Sequence, residues 1–245
     1  MEFIDYNRPH MPGAPAVPLR ETCRVAADKT IPLWSYHARR LVQGGCSREV
    51  VARVTEAVEE ALGRYSEPVT SRVRLTAIVL TDGTPSITVE RRLSSLDAPR
   101  GVRGVPIVMP RPPVLPSGAA KPADRSYWDA AQRRAREKGG DQAIIMDEVG
   151  TILDGGTATV MLRKGRTLTT PPVPHAVAGV ARAWVIDHAG ELGVRMEIRP
   201  LIVEDLDRSD ETVFVNAYGG ARAMQGKADN LATRIDARLK KLWGF

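Results

Sequence analysis

The chain of 245 residues carries 35 basic and 29 acidic side chains, so its formal net charge at pH 7 is +6. Hydrophobic residues make up 43% of the chain and charged residues 26%, as in an ordinary soluble globular protein. The two cysteines exclude a disulfide framework and a cysteine-rich metal site, and the dispersed basic charges do not predict a nucleic-acid partner. Because no apolar run approaches the roughly 18 residues of a membrane span and the first residues lack a signal peptide's apolar centre, we expect a cytoplasmic protein.

The first half of the chain predicts a small α/β domain over residues 19–111, after an irregular segment at residues 1–18 that holds four prolines. Two serines stand just before helical patterns, so we expect Ser35 and Ser47 to cap the two helices of this domain. The predicted elements are, in order, strands at 19–26 and 30–33 joined by a turn at 27–29, helices at 35–41 and 47–65, and strands at 73–80 and 86–93.

Seven prolines between Pro99 and Pro122 indicate a change of composition, and we place a linker at residues 112–120. A larger domain is expected over residues 121–245, with Asp124 as the cap of its first helix. Its predicted elements are, in order, a helix at 126–138, strands at 142–146, 151–154 and 158–163, a helix at 177–192, strands at 195–198 and 212–215, and a helix at 230–243.

Four short segments of the sequence contain residues whose chemistry suggests a catalytic or binding role. Lys121 precedes a predicted helix and stands 33 residues before Asp154, which ends a predicted strand. A lysine amine forms Schiff bases with aldehyde cofactors or carbonyl substrates, and a carboxylate keeps a pyridine nitrogen protonated. The other two pieces suit phosphate. They are the arginines of His37-Ala-Arg-Arg-Leu41 and the start of the helix predicted from Val177, which has Gly179 near its beginning. Taken singly, the lysine, the aspartate and the arginines are more typical of solvated side chains and turns, and the helix start is also typical of an ordinary helix entry.

The sequence contains no GxGxxG fingerprint, P-loop or GxSxG elbow, so nucleotide-binding and serine-hydrolase interpretations lack support. In order and spacing, the chemical pieces resemble the class IV aminotransferase family over roughly residues 19–224. These are the fold-type IV pyridoxal-phosphate enzymes, which include branched-chain and D-amino-acid aminotransferases and aminodeoxychorismate lyase. The resemblance is carried by Glu21-Thr-Cys-Arg-Val25, His37-Ala-Arg-Arg-Leu41, Lys121, Ile152-Leu-Asp-Gly-Gly-Thr-Ala-Thr-Val160, Gly179-Val-Ala-Arg182 and Phe214-Val-Asn-Ala217.

The resemblance implies an α+β fold of two domains with pyridoxal 5'-phosphate between them, in a homodimer. Lys121 would hold the cofactor as an internal aldimine and move the substrate's proton, and Asp154 would pair with the pyridine nitrogen. Arg40, rather than the adjacent Arg39, would grip the phosphate, since neighbouring positions on a helix point about 100° apart. The further phosphate contacts that it implies lie at Gly179, Val180, Ala181 and Ala217.

Thr22 and Arg24, on the first strand of the small domain, would face the substrate, an amino acid or a related amine. The sequence departs from the family where Asp154 replaces the usual Glu, Thr159 the usual Asn, and Ala181 and Ala217 the Thr that is frequent in transaminases. Three readings of the activity follow. The first is an aminotransferase, the second is a lyase of the aminodeoxychorismate lyase type, and the third is a family member that binds a ligand without catalysis.

Overall fold

A computed structural model describes residues 10–69, 72–92, 101–112, 115, 117–173, 176–227 and 230–244. Contacts group the chain into two compact units. Unit 1 comprises Met1–Leu93, Leu115–Asp124 and Leu242–Phe245, and unit 2 comprises Ser94–Val114 and Arg125–Lys241. Residues 10–18 form turns without a helix or strand, as predicted, whereas the first nine residues of the predicted irregular segment and residues 113, 114 and 116 of the predicted linker lie outside the described residues.

The predicted domain bounds stay a prediction, and the compact units are drawn differently in three places. Residues 101–111, which the prediction placed in the small domain, group with unit 2. Residues 115–124, which include Lys121, group with unit 1 rather than with the larger unit. The reason is local: the Arg20 N–H donates to the Lys121 carbonyl at 2.9 Å, which ties this segment to the first strand. Residues 242–245 also group with unit 1, where the Ala27 N–H donates to the Trp243 carbonyl at 3.0 Å.

Unit 1 is built on an antiparallel sheet of order β1-β2-β3 whose apolar face packs against two helices. Its elements are β1 Leu19–Arg24, α1 Trp34–Gln43, α2 Arg48–Arg64, β2 Val73–Val79 and β3 Pro85–Arg91. Helix α2 begins as predicted, because the Ser47 Oγ accepts the N–H of Val50 at 3.2 Å, a cap that contributes about 1 kcal/mol. The other predicted cap is wrong: Ser35 lies inside α1, and Leu33 precedes that helix without a side-chain cap.

The predicted hairpin between residues 19–26 and 30–33 is also wrong, because β1 pairs with β2. The Ala26 N–H donates to the Thr30 carbonyl at 2.8 Å, so the chain does turn at 27–29. Helix α1 follows too soon for a return strand, since the Trp34 N–H already donates to the Ile31 carbonyl at 2.9 Å.

The side chains of β1 alternate between two chemically different faces of the sheet. Glu21 and Cys23 share a face with Leu75 and Ala77 of β2, and this is the face that packs against the helices. Thr22 lies opposite Thr76 on the other face, and Arg24 lies opposite Arg74. One strand therefore supplies residues both to the core and to a polar surface.

Unit 2 contains two mixed sheets of order β10-β6-β5-β4 and β12-β11-β7-β8-β9 among its described residues. Its elements are β4 Gly104–Val108, α3 Ser126–Glu137, β5 Gln142–Met146, β6 Thr151–Gly155, β7 Thr159–Lys164, β8 Thr167–Thr170, α4 Val180–Asp187, β9 Arg195–Ile198, β10 Leu201–Ile202, α5 Val203–Arg208, β11 Glu211–Asn216, β12 Gly220–Ala223 and α6 Leu231–Leu242. Between the sheets, Ile144, Val160 and Phe214 form a fully buried core. Within the described ranges, no helix is both long and apolar enough to cross a membrane.

Two predictions for unit 2 need correction. Asp124 does not cap α3, because Arg125 precedes that helix and no side chain caps it. The helix predicted at 177–192 is shorter and begins at Val180, since the N–H of Val177 donates to the carboxylate of Asp154 at 3.1 Å instead of to the helix. Strands β4, β8, β10 and β12 and helix α5 were not predicted.

Candidate active site

Lys121 is positioned by its own backbone. Its carbonyl accepts from Arg20, and two residues later the Ala123 N–H donates to the Pro18 carbonyl at 2.8 Å, so the segment runs beside the start of β1. The chain just before Lys121 packs closely against Gln43. Gly118 has a φ of 61°, and a Cβ at this position would lie 2.6 Å from the Cβ of Gln43. On this fixed segment the Lys121 Nζ donates to the Thr22 Oγ1 at 3.2 Å. The structure therefore brings together a predicted cofactor residue and a predicted substrate residue.

A buried cluster of charged residues lies on the other face of the same strand. Glu21 is 1% exposed and accepts hydrogen bonds from His37 Nδ1 at 2.5 Å, from Arg40 Nε at 2.9 Å and from Arg40 Nη2. The two bonds from Arg40 are side by side, the geometry that fixes a guanidinium plane. Arg40 points inward, whereas Arg39 is exposed and lies over the Tyr36 ring at 4.7 Å. The inward arginine is thus the one to which the resemblance assigned the phosphate.

The pKa values of this cluster follow from burial and from the arginine. Burial alone would raise the pKa of Glu21, but Arg40 and His37 lower it to about 2, so the carboxylate stays charged at neutral pH. Burial lowers the pKa of His37 even though Glu21 opposes the shift, so the imidazole is neutral at pH 7. Its Nδ1–H then donates to Glu21, and its buried Nε2 has no hydrogen-bond partner among the described residues.

Asp154, on β6, is a buried carboxylate of a different kind. Its Oδ2 accepts from the Trp128 Nε1–H at 3.2 Å and the Val177 N–H at 3.1 Å, and its Oδ1 accepts from the Gly155 N–H at 2.8 Å. Within the described part of the chain, no cationic side chain forms an ion pair with it. Burial raises the pKa of Asp154 to about 6, although the three N–H groups and the nearby charge of Arg125 act in the opposite direction. Asp154 is therefore ionised at neutral pH with the charges of Arg125 and Arg182 nearby, but it forms no ion pair among the described residues.

Trp128 and Arg125 support Asp154 and were not predicted from the sequence. The Trp128 side chain is 3% exposed, and the Arg125 guanidinium lies 5.0 Å from the centre of its ring. Arg125 also donates to the Gly156 carbonyl at 2.8 Å, just after Asp154 on the chain. The sequence offers no local signal for this contact, because Trp128 precedes Asp154 by 26 residues.

The start of α4 has the features of an anion site. Gly179 precedes the helix, no side chain caps its first turn, and the turn contains no acidic residue. The N–H groups of Val180 and Ala181 therefore lie at the positive end of the helix. Gly179 is required by close packing, because a Cβ at this position would lie 2.6 Å from the Thr159 Oγ1.

Ala217 lies in a turn that Asn216 holds in place. The Asn216 Oδ1 accepts the N–H groups of Tyr218 and Gly219, and its Nδ2 donates to the Thr157 carbonyl at 3.1 Å. The turn that carries Ala217 thus contacts the turn that follows Asp154. Within unit 2, the structure brings the segments of Asp154 and Ala217 together.

Glu21 and His37 are the residues of the first unit whose roles sequence reasoning missed. His37 and Arg40 stand three positions apart and so share a helix face, which was an available signal. Their partner could not be found in this way, because Glu21 is on a strand 16 residues before His37. The other predicted substrate residue, Arg24, is 7% exposed and lies 5.5 Å from the centre of the Trp243 ring.

The sequence pattern of the family described as Amino-transferase class IV matches residues 19–225 of the chain. The chain belongs to the class IV aminotransferase family. The resemblance seen in the sequence is thereby confirmed, and class IV aminotransferases use pyridoxal phosphate as their cofactor.

Two curated relatives carry the names of two different activities. A protein of Methanocaldococcus jannaschii, provisionally named a branched-chain-amino-acid aminotransferase, is 31% identical over 116 residues, which cover 45% of this chain and 39% of that protein. Aminodeoxychorismate lyase of Bacillus subtilis is 30% identical over 86 residues, which cover 34% of this chain and 29% of the lyase. The matched regions thus span less than half the length of either relative.

The fold agrees with solved structures of the family over most of the chain. A hypothetical aminotransferase from Mycobacterium tuberculosis, in its PLP-bound form, superposes with a TM-score of 0.76 at 20% identity, covering 99% of this chain and 95% of that chain. A branched-chain aminotransferase from Thermoproteus uzoniensis, solved with norvaline, gives a TM-score of 0.75 at 18% identity, with 97% and 91% covered. At these identities the likeness shows the fold alone, and it confirms the predicted α+β fold.

Proposed function

We propose that the protein is a pyridoxal-phosphate-dependent aminotransferase that acts on an amino acid or a related amine. The observation that carries this proposal is the state of Asp154. It is a buried carboxylate that accepts three N–H groups, is ionised at neutral pH and lacks an ion pair among the described residues. An unpaired buried charge is costly, so a site that retains one suits a cationic ligand such as a protonated pyridine nitrogen.

The residues present fit the cofactor in each of its parts. Lys121 supplies a primary amine on a fixed backbone segment, and would hold the cofactor through its Nζ. The uncapped start of α4 at Gly179, Val180 and Ala181 suits the phosphate, as does the buried guanidinium of Arg40. Ala217, in the turn held by Asn216, would add a backbone contact.

When bound, the cofactor supplies an electron sink that stabilises the charge left when the substrate loses its α-proton. Each of three side chains of the protein would then have its own role. The Nζ of Lys121, once released from the cofactor, would remove the α-proton and return it at another atom. The carboxylate of Asp154 would keep the pyridine nitrogen protonated, and the hydroxyl of Thr22, at 3.2 Å, would orient the lysine amine.

Covalent labelling tests the assignment of the lysine. Purified protein incubated with pyridoxal phosphate should show the visible absorbance band of the lysine-bound cofactor, and borohydride reduction followed by peptide mapping should place the pyridoxyl group on Lys121. Lys121→Ala should lose both signals, and Lys138→Ala, which removes an exposed lysine, should keep them. Label on another lysine would overturn the assignment, and absence of the band would favour the third reading, a member that binds without catalysis.

A second candidate is a lyase of the aminodeoxychorismate lyase type. It is supported by the contact between the Thr22 hydroxyl and the Lys121 amine, which puts a proton-carrying group beside the base, as protonation of a leaving group would require. It is also supported by the similarity to the Bacillus subtilis lyase. An assay with and without an amino acceptor separates the two reactions. A transaminase turns over only when the acceptor is present, whereas the lyase releases pyruvate without it.

The proposal also includes a homodimer and a cytoplasmic location. The homodimer is supported by the family resemblance, and the location by a composition with two buried cysteines that are not disulfide-bonded. Light scattering on the cofactor-loaded protein should give a mass of about twice 26.7 kDa, and a monomer at micromolar concentration would contradict the homodimer.

A further inference from the structure

The turn that follows Asp154, called here the Asp154 turn (residues 155–158), connects two segments of unit 2 that the proposed function assigns to the cofactor. On one side, the Gly155 N–H donates to the Asp154 Oδ1 at 2.8 Å. On the other side, the Thr157 carbonyl accepts from the Asn216 Nδ2 at 3.1 Å, and Asn216 also holds the turn that follows it. The position of the Asp154 turn therefore affects both segments.

A buried side chain from the neighbouring strand bonds to the Asp154 turn. Gln142 lies at the start of β5, which pairs with β6, and is 0% exposed. Its Oε1 accepts the N–H groups of three successive residues, Gly156 at 3.0 Å, Thr157 at 2.7 Å and Ala158 at 3.3 Å, while its Nε2 donates to the Thr157 Oγ1 at 2.8 Å. With the amide turned the other way, its N–H groups would face other donors, and only the Thr157 hydroxyl could bond to it.

The Asp154 turn needs this acceptor. Gly156 and Ala158 are buried, and buried N–H groups are almost always hydrogen-bonded in folded proteins because an unpaired one is costly. The Gly156 N–H also lies 3.1 Å from the carbonyl of Ala143, the next residue of β5. Gln142 is itself fixed from the far side, since its N–H donates to the Arg103 carbonyl at 3.3 Å, just before β4. The conformation of the turn is thus tied to an interior strand of the sheet.

We infer that Gln142 is a positioning residue of the cofactor site, because its amide oxygen fixes the turn through which Asp154 and Asn216 are held. The inference rests on the proposed function and adds a residue to that same site. Gln142 acts through the turn: the Gly155 N–H is aimed at Asp154 by the residues that follow it, and these are bonded to Gln142. Without the amide oxygen, three N–H groups turn to other acceptors, and the donor to Asp154 moves with them.

Replacement of the amide tests the inference. Gln142→Met has nearly the same length and shape but no acceptor for the three N–H groups. Carbon-13 NMR of the cofactor-free protein should show the pKa of Asp154 raised from about 6 by roughly one unit, since one hydrogen bond to its charged form is lost. The pH at which affinity for pyridoxal phosphate falls should move upward by the same amount. The variant leaves in place the other groups near Asp154, namely the charges of Arg125 and Arg182 and the hydroxyl of Tyr127.

Gln132→Met is the matched control. Gln132 is also buried, at 3% exposed, and also bonds to backbone groups, but these are the Asp141 carbonyl at 2.7 Å and the Ala143 N–H at 3.1 Å, outside the Asp154 turn. Its loss should lower stability, as denaturant unfolding measures, without shifting the pKa of Asp154. An equal pKa shift in Gln132→Met and Gln142→Met would show that general destabilisation moves the carboxylate, and would overturn the inference.

A milder variant serves if Gln142→Met does not fold. Thr157→Val keeps the shape of the side chain but removes the hydroxyl that orients the amide, so the pKa of Asp154 should rise by about half a unit. An unchanged pKa of Asp154 in Gln142→Met, or in Thr157→Val where the first variant cannot be measured, would overturn this inference alone. Absence of the visible cofactor band in the wild type would overturn the proposed function together with this inference.

Discussion

Two buried carboxylates, Glu21 in unit 1 and Asp154 in unit 2, are compensated in opposite ways. Glu21 is held by Arg40 and His37, and the arginine and histidine lower its pKa to about 2 against the effect of burial. Asp154 is held by N–H groups of Trp128, Val177 and Gly155, and burial raises its pKa to about 6. Both are nearly inaccessible to solvent, so the difference lies in the counter-charge and not in the depth of burial.

The difference separates a structural charge from one that is kept for a ligand. Glu21 is already paired with a cation of the protein, the Arg40 guanidinium. Its role is therefore structural, since it holds Arg40 in place between β1 and α1. Asp154 keeps a negative charge at neutral pH without an ion pair in the described part of the chain, which weakens the folded state unless a cation binds. A buried acid with a raised pKa and no ion pair is thus a better indicator of a site than one with a lowered pKa.

The two acids also respond to pH with opposite sign. The pKa of Glu21 is lower in the folded state than its ordinary 4.5, so its stabilisation is complete above about pH 4.5 and is lost as the pH falls towards 2. The pKa of Asp154 is higher than its ordinary 3.8, so its ionisation weakens the folded state as the pH rises from 3.8 to about 6. His37, neutral when buried, adds further loss of stability below its ordinary pKa of 6.5.

The largest expected effect is the loss of stability when the buried ion pair between Glu21 and Arg40 is broken. Glu21→Gln keeps the shape of the side chain but leaves the Arg40 guanidinium buried without a counter-charge, which should cost about 3–5 kcal/mol. Denaturant unfolding of the cofactor-free protein at pH 7 measures it. The control is Glu60→Gln, which breaks a pair with Arg64 whose side chains are 65% and 70% exposed, and should change stability by less than about 0.5 kcal/mol. A loss below about 1 kcal/mol for Glu21→Gln would show that the cluster is not a structural pair.

The next effect concerns the acid kept for the ligand. Asp154→Asn should leave the fold intact and still allow label on Lys121, but weaken cofactor binding about a hundredfold at pH 7 and slow α-proton removal at least tenfold, since a buried charge pair is lost. In the wild type, affinity should fall as the pH drops through about 6, and this fall should be missing in the variant. The cofactor phosphate titrates in both proteins, so the difference between the two curves is the relevant quantity. If single-turnover kinetics shows an unchanged rate, Asp154 only shapes the turn at Gly155.

A smaller effect is expected from the indole that supports Asp154. Trp128→Phe keeps an aromatic ring but removes the N–H that bonds to Oδ2, so the pKa of Asp154 should rise further and cofactor affinity at pH 7 should fall about tenfold. Carbon-13 NMR of the Asp154 carboxyl reports the pKa without cofactor. Trp34→Phe removes another indole donor, the one to Thr55, and should leave both quantities unchanged. An unchanged Asp154 pKa in Trp128→Phe would reduce Trp128 to a packing residue.

The smallest expected effect is that of Arg39→Ala, and it is compared with Arg40→Ala, which breaks the same buried pair as Glu21→Gln. Arg39→Ala removes an exposed side chain over Tyr36 and should alter stability by less than about 0.5 kcal/mol, with cofactor affinity unchanged. Arg40→Ala removes the partner of Glu21 and should weaken both stability and cofactor retention. Fluorescence titration with pyridoxal phosphate compares the two. If cofactor binding were weakened in Arg39→Ala but not in Arg40→Ala, the phosphate contact would have been assigned to the wrong face of the helix.

Elements with a long, clear period could be predicted from the sequence, and those that depend on distant partners could not. Helix α2 carries valines at helical spacing and a serine cap, and it was placed correctly at both ends. The pairing of β1 was misassigned because its partner β2 lies beyond two helices, and a nearby turn at 27–29 offered a false alternative. Helix α4 was overextended because the N–H of Val177 bonds to Asp154, a contact that local propensity cannot reveal.

From the sequence, the site could be predicted only for residues whose own side-chain chemistry indicates a role. Lys121 and Asp154 were selected by residue type, spacing and family resemblance, and their cofactor roles stay predictions. The groups that set their properties were missed because they come from other elements: Trp128 from α3, and Glu21 from the strand that also carries Thr22. A pKa is decided by neighbours in space, so sequence spacing alone could not distinguish the compensated acid from the uncompensated one.

The alternation along β1 sets a rule for anyone who would redesign this protein by changing its length. A single inserted residue before Glu21 would turn that carboxylate towards the arginines of the polar face and push the Thr22 hydroxyl into the apolar core. The turn at 27–29 can be lengthened or shortened at modest cost, whereas the count of residues from 19 to 24 is fixed. Lineages that vary this protein by insertion and deletion should therefore change its loops and leave the length of its first strand untouched.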